Sequence, residues 1–396
     1  MHDGASGTVW REGRDDAGPA FHEPGADTAS TVTRDAPVSA PRVLMLPDAS
    51  KGNPYQRQLR SALERRGARV RLANPAGVLP LLGAVRRHGP VDVLHLHWTH
   101  RLVVGATRLR TLAKATRFLG ELLTLRLRGV SVVWTAHNLL EHERRQPGIE
   151  LACGRLATRL YKRVIVHCGA ARRQIADAYR LPVDSPVLTQ APHGHFIGAY
   201  GDGMSRDEAR QRLGIEADGP VFLHFGQIRP YKGVFELLDC FARLDSPGAR
   251  LLIAGRPWDD ATAAALRARA AEDPRIQLVL EFIPDEDVGV YLAAADAMVL
   301  PYRDILTSGS AMLAISFARA VVMPRCGCAE EMLGDDAGAL LYDPYAADGL
   351  AGAMERAVTA DLDALGAAGR ARAEGFDWDT IARTTLDAYL GYPAHE

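Results

Sequence analysis

"VFLHFGQIRPYKGV", residues 221–234, decides how the rest of the chain is read. Val221–Phe222–Leu223 is a short apolar run of the kind that forms a strand buried on both faces. Gly226 ends it, and Gly233 precedes the helix-like stretch from Val234 to Leu244. Glycines let the backbone approach a ligand closely. Arg229 offers a bidentate fork to phosphate, and Lys232 adds a mobile point charge. A strand, a glycine-flanked cationic loop and a helix together predict an anion site, although solvated loop cations give an equally good account of this stretch alone.

Working outward, the same strand–loop–helix unit recurs. Downstream come "ARLLIAGR" (249–256), "IQLVLEFIP" (276–284), "AMVLPYR" (297–303) and "AVVMP" (320–324). Upstream stand Val43–Leu46, "VDVLHLHW" (91–98), "VSVVWTAHN" (130–138) and "RVIVHC" (163–168), with helical patterns between them. Alternation of this kind predicts an α/β fold with two doubly wound, Rossmann-like domains facing across a cleft. Their expected limits are 42–200 and 201–375, after a disordered tail at 1–41 and before a final helical segment at 376–396. A single core seldom grows past about 250–300 residues, which disfavours one long domain.

In open parallel sheets, ligands bind outside the carboxyl ends of the strands. Asp48, His95, His97, His137, Arg229 and Asp304 all fall at such ends. A second anion site is expected where Thr307–Ser308–Gly309–Ser310 opens an apolar helix, because free N–H groups there attract negative charge. Ordinary capping by Ser or Thr explains the same residues and is compatible with phosphate binding. Two such loops on one sheet edge suit a diphosphate. Neither GxxxxGK[ST] nor strand–GxGxxG–helix occurs, so nucleotide hydrolysis through a P-loop and nicotinamide chemistry are poorly supported.

These segments resemble the GT-B nucleotide-sugar glycosyltransferases, in particular glycosyl transferases group 1, over about 42–392. The carriers are "FGQIRPYKG", the block from Pro301 to Pro324, "TAHN" (135–138), "PHGHF" (192–196) and "FDWDTIARTTLDAY". The resemblance implies a donor site for a nucleotide-diphosphate sugar, with Lys232 on the diphosphate and Phe282–Ile283–Pro284 near the base. It implies that His137 faces the transferred sugar and that the last helix crosses back to the first domain. Gln227 stands where the family arginine commonly follows the glycine, so Arg229 is its expected substitute. Retaining members carry two glutamates eight positions apart, and here those positions are Ile305 and Leu313. Asp304 and the Thr307–Ser310 loop are the expected replacements, and inversion, which needs a general base, becomes the favoured course. His137 is the first candidate base, ahead of Glu141, Glu143, His97 and Asp48. No DxD-like metal motif is evident, so no metal or cofactor is expected beyond the sugar nucleotide.

Charge points to the acceptor. Residues 42–200 carry a net +17 and residues 201–396 a net −14. An anionic partner is expected for the first half: a membrane surface, a phosphorylated lipid or nucleic acid. The densest basic stretch, 101–128, interleaves Arg and Lys with Leu, Val and Phe, which suits a basic amphipathic helix on an anionic leaflet. An ordinary surface helix in an arginine-rich chain gives the same pattern. Without a recognisable helix-turn-helix or RNA-binding motif, nucleic acid is not expected. A lipid-linked glycan acceptor in cell-envelope or exopolysaccharide synthesis leads, with Asp48, Asn53 and His97 on the acceptor side; a soluble natural product is the alternative. No secretory signal or membrane-spanning run is visible, so a cytoplasmic protein, peripheral on the inner face of the plasma membrane, is expected. The five cysteines, without a CxxC pair, read as small core residues in a reducing compartment.

Overall fold

Apolar runs too short for helices and too continuous for half-exposed strands become the inner strands of two parallel sheets. The computed structural model describes residues 40–392, apart from 142, 202 and 304. The first sheet contains β1 (Arg42–Leu46), β2 (Arg69–Leu72), β3 (Val93–Leu96), β4 (Ser131–Thr135), β5 (Arg163–Val166) and β6 (Leu188–Gln190), in the order β2-β1-β3-β4-β5-β6. The second contains β7 (Val221–Phe225), β8 (Arg250–Ala254), β9 (Ile276–Val279), β10 (Ala297–Val299), β11 (Ala320–Pro324) and β12 (Leu341–Tyr342), ordered β12-β11-β10-β7-β8-β9. Strand order reverses between β1 and β3 in one sheet and between β7 and β10 in the other. Such reversals open a crevice at the carboxyl ends of the strands.

Three of these strands, β2, β6 and β12, carry no strand assignment in the sequence reading. Each lies at a sheet edge. An edge strand is buried on fewer sides, so "RVRL" in β2 needs only Val70 inside, with Arg69 exposed. The basic stretch 101–128 also differs from expectation. It breaks into a short helix, His100–Val103, and a long one, Arg108–Leu127. Lys114 donates to the carbonyls of Arg101 and Val104, and Arg117 to that of Leu102. These two cations tie the short helix to the long one, which withdraws them from an outward basic face.

The helix Tyr55–Arg65 buries Tyr55, Leu59, Ala62 and Leu63, a stripe at helical spacing. Its partner is the last helix, Trp378–Leu390, which buries Trp378, Ile381, Ala382, Thr385, Ala388 and Tyr389. Asp377 caps that helix by accepting from Thr380 N–H at 2.8 Å. The helix lies against β4, β5 and β6, so the end of the described chain completes the first lobe. Trp378 donates its indole N–H to the His195 carbonyl at 2.8 Å, and its ring fills the space beside Gly194. A Cβ at Gly194 would come within 2.4 Å of that ring. Gly194→Ala is therefore expected to cost at least about 2 kcal/mol through overpacking, read as a lower urea midpoint with unchanged slope. An unchanged midpoint would mean that Trp378 moves aside freely.

The expectation that every cysteine is a reduced core residue fails for one pair. Cys168, after β5, and Cys328, after β11, form a disulfide across 160 residues of sequence. A separation of that length gives no local signal; only the packing of the two lobes brings the sulfurs together. Cys153 and Cys240 are buried free thiols, and Cys326 is half-buried.

Candidate active site

The loops expected on the donor side meet at the β7/β10 reversal. Gly226 (φ 101°) and Gly233 (φ 68°) take left-handed backbone conformations. At Gly233 a Cβ would strike the Pro301 carbonyl oxygen at 2.1 Å, so only glycine lets the loop close on the strand end after β10. Pro230–Lys232 form one 3-10 turn that curls Lys232 inward, until its Nζ lies 3.6 Å from where a Gly226 Cβ would be. Lys232 is buried, and burial holds its pKa below the usual lysine value. Its Nζ stands 5.4 Å from the centre of the Tyr302 ring. His224 Nδ1 bonds the Val299 carbonyl at 3.1 Å, while its Nε2 has no hydrogen-bond partner among the described residues. Thr307 Oγ1 is likewise buried without one. A buried ammonium near the unsatisfied His224 ring, with no carboxylate bonded to it among the described residues, suits an anion.

Ser308 caps the helix Gly309–Ser316 by accepting from Ala311 N–H at 3.1 Å, leaving Gly309 and Ser310 in the first turn. His193 Nε2 lies 3.8 Å from a Cβ built on Gly309, so this histidine of the first lobe overlooks the helix N-terminus of the second. In the sequence His193 stands out only as part of "PHGHF", with nothing local to give it a role. Arg229 points elsewhere. Its guanidinium stacks 3.8 Å over the Trp258 ring and stands 3.6 Å from Glu143, across the cleft. Phe282 is exposed beside Gly52 of the first lobe, and Ile283 is buried beneath it. Asp304 lies outside the described residues. Ile305 and Leu313, at the two family glutamate positions, are both buried in the apolar core.

The first lobe supplies a nest of neutral histidines. His137 is buried, and Trp98 stacks on it at 4.4 Å with a 14° tilt. His137 Nε2 and His97 Nδ1 share a hydrogen bond of 3.0 Å. His97 itself is fully buried. His95 joins Thr135 Oγ1 and the Tyr389 hydroxyl, both at 2.7 Å. Tyr55 packs edge-on against His97, His137 and His167. Burial drives all these rings down, with neighbouring histidines adding to it: His95 and His193 fall to about 3, and His97 and His137 lie well below the ordinary 6.5, while His167 falls to about 4 through burial alone. They are neutral acceptors and donors at neutral pH.

The remaining residues expected on the acceptor side lie on the 47–55 loop. Buried Gln56 fixes it, donating to Pro47 O at 2.9 Å and accepting from Ala49 N–H at 2.7 Å. Asp48 is exposed and accepts from Ser50, and Asn53 accepts from Tyr55 N–H at 3.0 Å. Of the other base candidates, Glu141 is buried and paired with Arg145, whereas Glu143 faces Arg229. Beside Glu141, burial pushes the Glu150 carboxyl up to about 7. The two lobes also meet through Arg57–Asp285 at 3.0 Å. Glu331 accepts from the Gly169 and Ala170 N–H groups at 2.8 Å each, covering the N-terminus of the helix Gly169–Tyr179.

Known proteins share this fold and family. Residues 219–360 match the family described as Glycosyl transferases group 1. The chain is 33% identical over 305 residues to GDP-mannose:glycolipid 4-beta-D-mannosyltransferase of Xanthomonas campestris pv. campestris, covering 76% of this chain and 78% of that protein. Among solved structures, sucrose-phosphate synthase from Thermosynechococcus elongatus superposes with a TM-score of 0.69 at 19% identity, over 89% of this chain and 98% of that one. HepE of Anabaena, in complex with UDP, gives 0.67 at 17%, over 88% and 98%. These last two show the fold alone. With two facing parallel sheets and a relative matched over three quarters of both chains, the protein belongs to the group 1 glycosyltransferases of the GT-B fold and is an enzyme that transfers a sugar.

Proposed function

We propose that the enzyme moves a mannosyl group from GDP-mannose to a hydroxyl of a glycolipid, with inversion, in cell-envelope or exopolysaccharide synthesis. The observation that carries this is the 33% identity to a GDP-mannose:glycolipid 4-beta-D-mannosyltransferase over most of both chains. A β-mannoside arises from an α-linked mannosyl nucleotide only by inversion. Ile305 and Leu313 support the same course, since the paired carboxylates of retaining relatives are replaced by core side chains. In the reaction, the acceptor oxygen bonds to the anomeric carbon as the bond to the diphosphate breaks. Lys232 and the N-terminus of the helix Gly309–Ser316 place positive charge where the leaving diphosphate gains negative charge. No metal is needed for that task. The acceptor proton passes to a base on the first lobe, with His137 foremost and Glu143 and Asp48 the carboxylates facing the cleft. NMR of the product's anomeric centre tests the reading: a β-linked product is expected from an α-linked donor, and an α-linked product would overturn inversion.

A glycolipid acceptor would be met at a membrane surface, and a peripheral position there is part of this reading. No helix among the described residues is long and apolar enough to cross one. The helix Arg108–Leu127 instead exposes Leu109, Leu112, Leu123 and Leu127, with Arg108, Arg110, Arg126 and Arg128 around them. Each cation near an anionic leaflet contributes about 1 kcal/mol. Reversing Arg108, Arg110 and Arg128 to Glu is expected to weaken binding to anionic vesicles by roughly a hundredfold or more, and salt should weaken the unmodified protein similarly. Equal pelleting with neutral vesicles would favour a soluble acceptor.

A further inference from the structure

We propose that Cys168 and Cys328 form a reversible thiol–disulfide site that holds the two lobes closed, and that a dithiol reductant releases the cleft for donor entry. The proposal rests on the cleft being the site of sugar transfer. It starts from where the sulfurs sit. Cys168 caps the N-terminus of the helix Gly169–Tyr179 and follows His167, a member of the histidine nest around Tyr55. Cys328 precedes the helix Ala329–Ala337 and donates its N–H to the Leu306 carbonyl at 3.0 Å. Gly327 (φ 54°) lies so close to the Ile305 and Leu306 carbonyls that a Cβ there would come within 2.6 Å and 2.5 Å of them. The segment 327–328 is thus fitted against the residues that lead into the Thr307–Ser310 cradle. The bond therefore joins the acceptor-side nest directly to the donor-side loop.

Its surroundings strengthen the link. Leu306 and Cys328 of the second lobe are packed inside the apolar cluster of the first. One turn beyond Cys328, Glu331 holds the two leading N–H groups of the helix that Cys168 caps. In this closed arrangement His137 is 6% and Lys232 8% exposed, so a bulky sugar nucleotide reaches them only when the lobes part. An ion pair and an apolar contact can part and re-form quickly; a covalent bond cannot. Both cysteines are 3% exposed, so exchange waits on brief local openings around the bond and is slow. In the exchange, one thiolate of the dithiol attacks a sulfur of the pair and forms a mixed disulfide. The second thiolate then displaces it. The reductant leaves as a cyclic disulfide, and two electrons and two protons remain on the Cys168 and Cys328 thiols.

The full chain, treated with oxidised glutathione, alkylated under denaturing conditions and digested, is expected to yield a 168–328 linked peptide, with Cys153, Cys240 and Cys326 alkylated. Dithiothreitol should convert it to five alkylated cysteines. In solution X-ray scattering, reduction should raise the radius of gyration, and the association rate of GDP should rise at least tenfold. Cys168→Ser and Cys328→Ser should match the reduced protein and ignore dithiothreitol. Should either variant fail to fold, reduced and alkylated wild-type protein serves in its place. Five free thiols after oxidation would overturn the proposal. So would a verified bridge whose reduction changes neither scattering nor nucleotide association. Opening in the scattering without GDP binding would uphold the lock and discard GDP as the donor nucleotide.

Discussion

Lowering the pH from 7.5 to 5.5 is expected to remove about 8 kcal/mol from the unfolding free energy. Six histidines are buried and neutral: His95, His97, His137, His167, His193 and His224, the last held at about 4 by burial. In the unfolded chain each titrates near 6.5. Below that value the unfolded state binds protons that the folded state refuses, so folding loses about 1.4 kcal/mol per histidine for each pH unit. The loss begins at the unfolded value and continues until the folded rings protonate, at about 3 to 4 for those given values. Six together approach the whole stability of an ordinary domain, about 5–15 kcal/mol. Urea unfolding at pH 7.5, 6.5 and 5.5 measures this. Midpoints should fall steeply over the last unit, and coincident midpoints at 7.5 and 5.5 would show that the rings are charged or solvated in the folded protein.

The second large effect concerns Lys232. Lys232→Ala is expected to lower turnover by about 10² to 10³, or roughly 2.7–4 kcal/mol of transition-state stabilisation. Stability should hold or rise, because the substitution removes a buried ammonium whose desolvation lowers its own pKa. Arg229→Ala should cost less, since that guanidinium already rests on Trp258 and faces Glu143. Steady-state kinetics paired with thermal unfolding separates the two effects. Unchanged turnover together with unchanged nucleotide affinity would remove Lys232 from the site.

Legibility in the sequence followed burial. Strands covered on both faces, such as β3 and β7, announce themselves as continuous apolar runs. The edge strands β2, β6 and β12 do not, because fewer neighbours constrain them. The turn that buries Lys232 is legible because glycines bracket it. His193, Trp258 and the Cys168–Cys328 bond were not, since each becomes meaningful only after distant segments meet. The split of 101–128 escaped notice for a related reason: Lys114 and Arg117 look like surface cations until the carbonyls they cap are in place.

The helix Trp378–Leu390 gives the molecule an awkward birth. It belongs to the floor of the first lobe, with Tyr389 bonded to His95 and Trp378 packed against Tyr55. During translation, β1 to β6 emerge long before it. At about 5–20 residues per second, the ribosome needs roughly 10–40 s to travel from residue 200 to residue 390. Throughout that interval the first lobe presents Tyr55, Leu59 and the polar edge of His95 uncovered. It must therefore wait, unfinished, for a segment made after the entire second lobe.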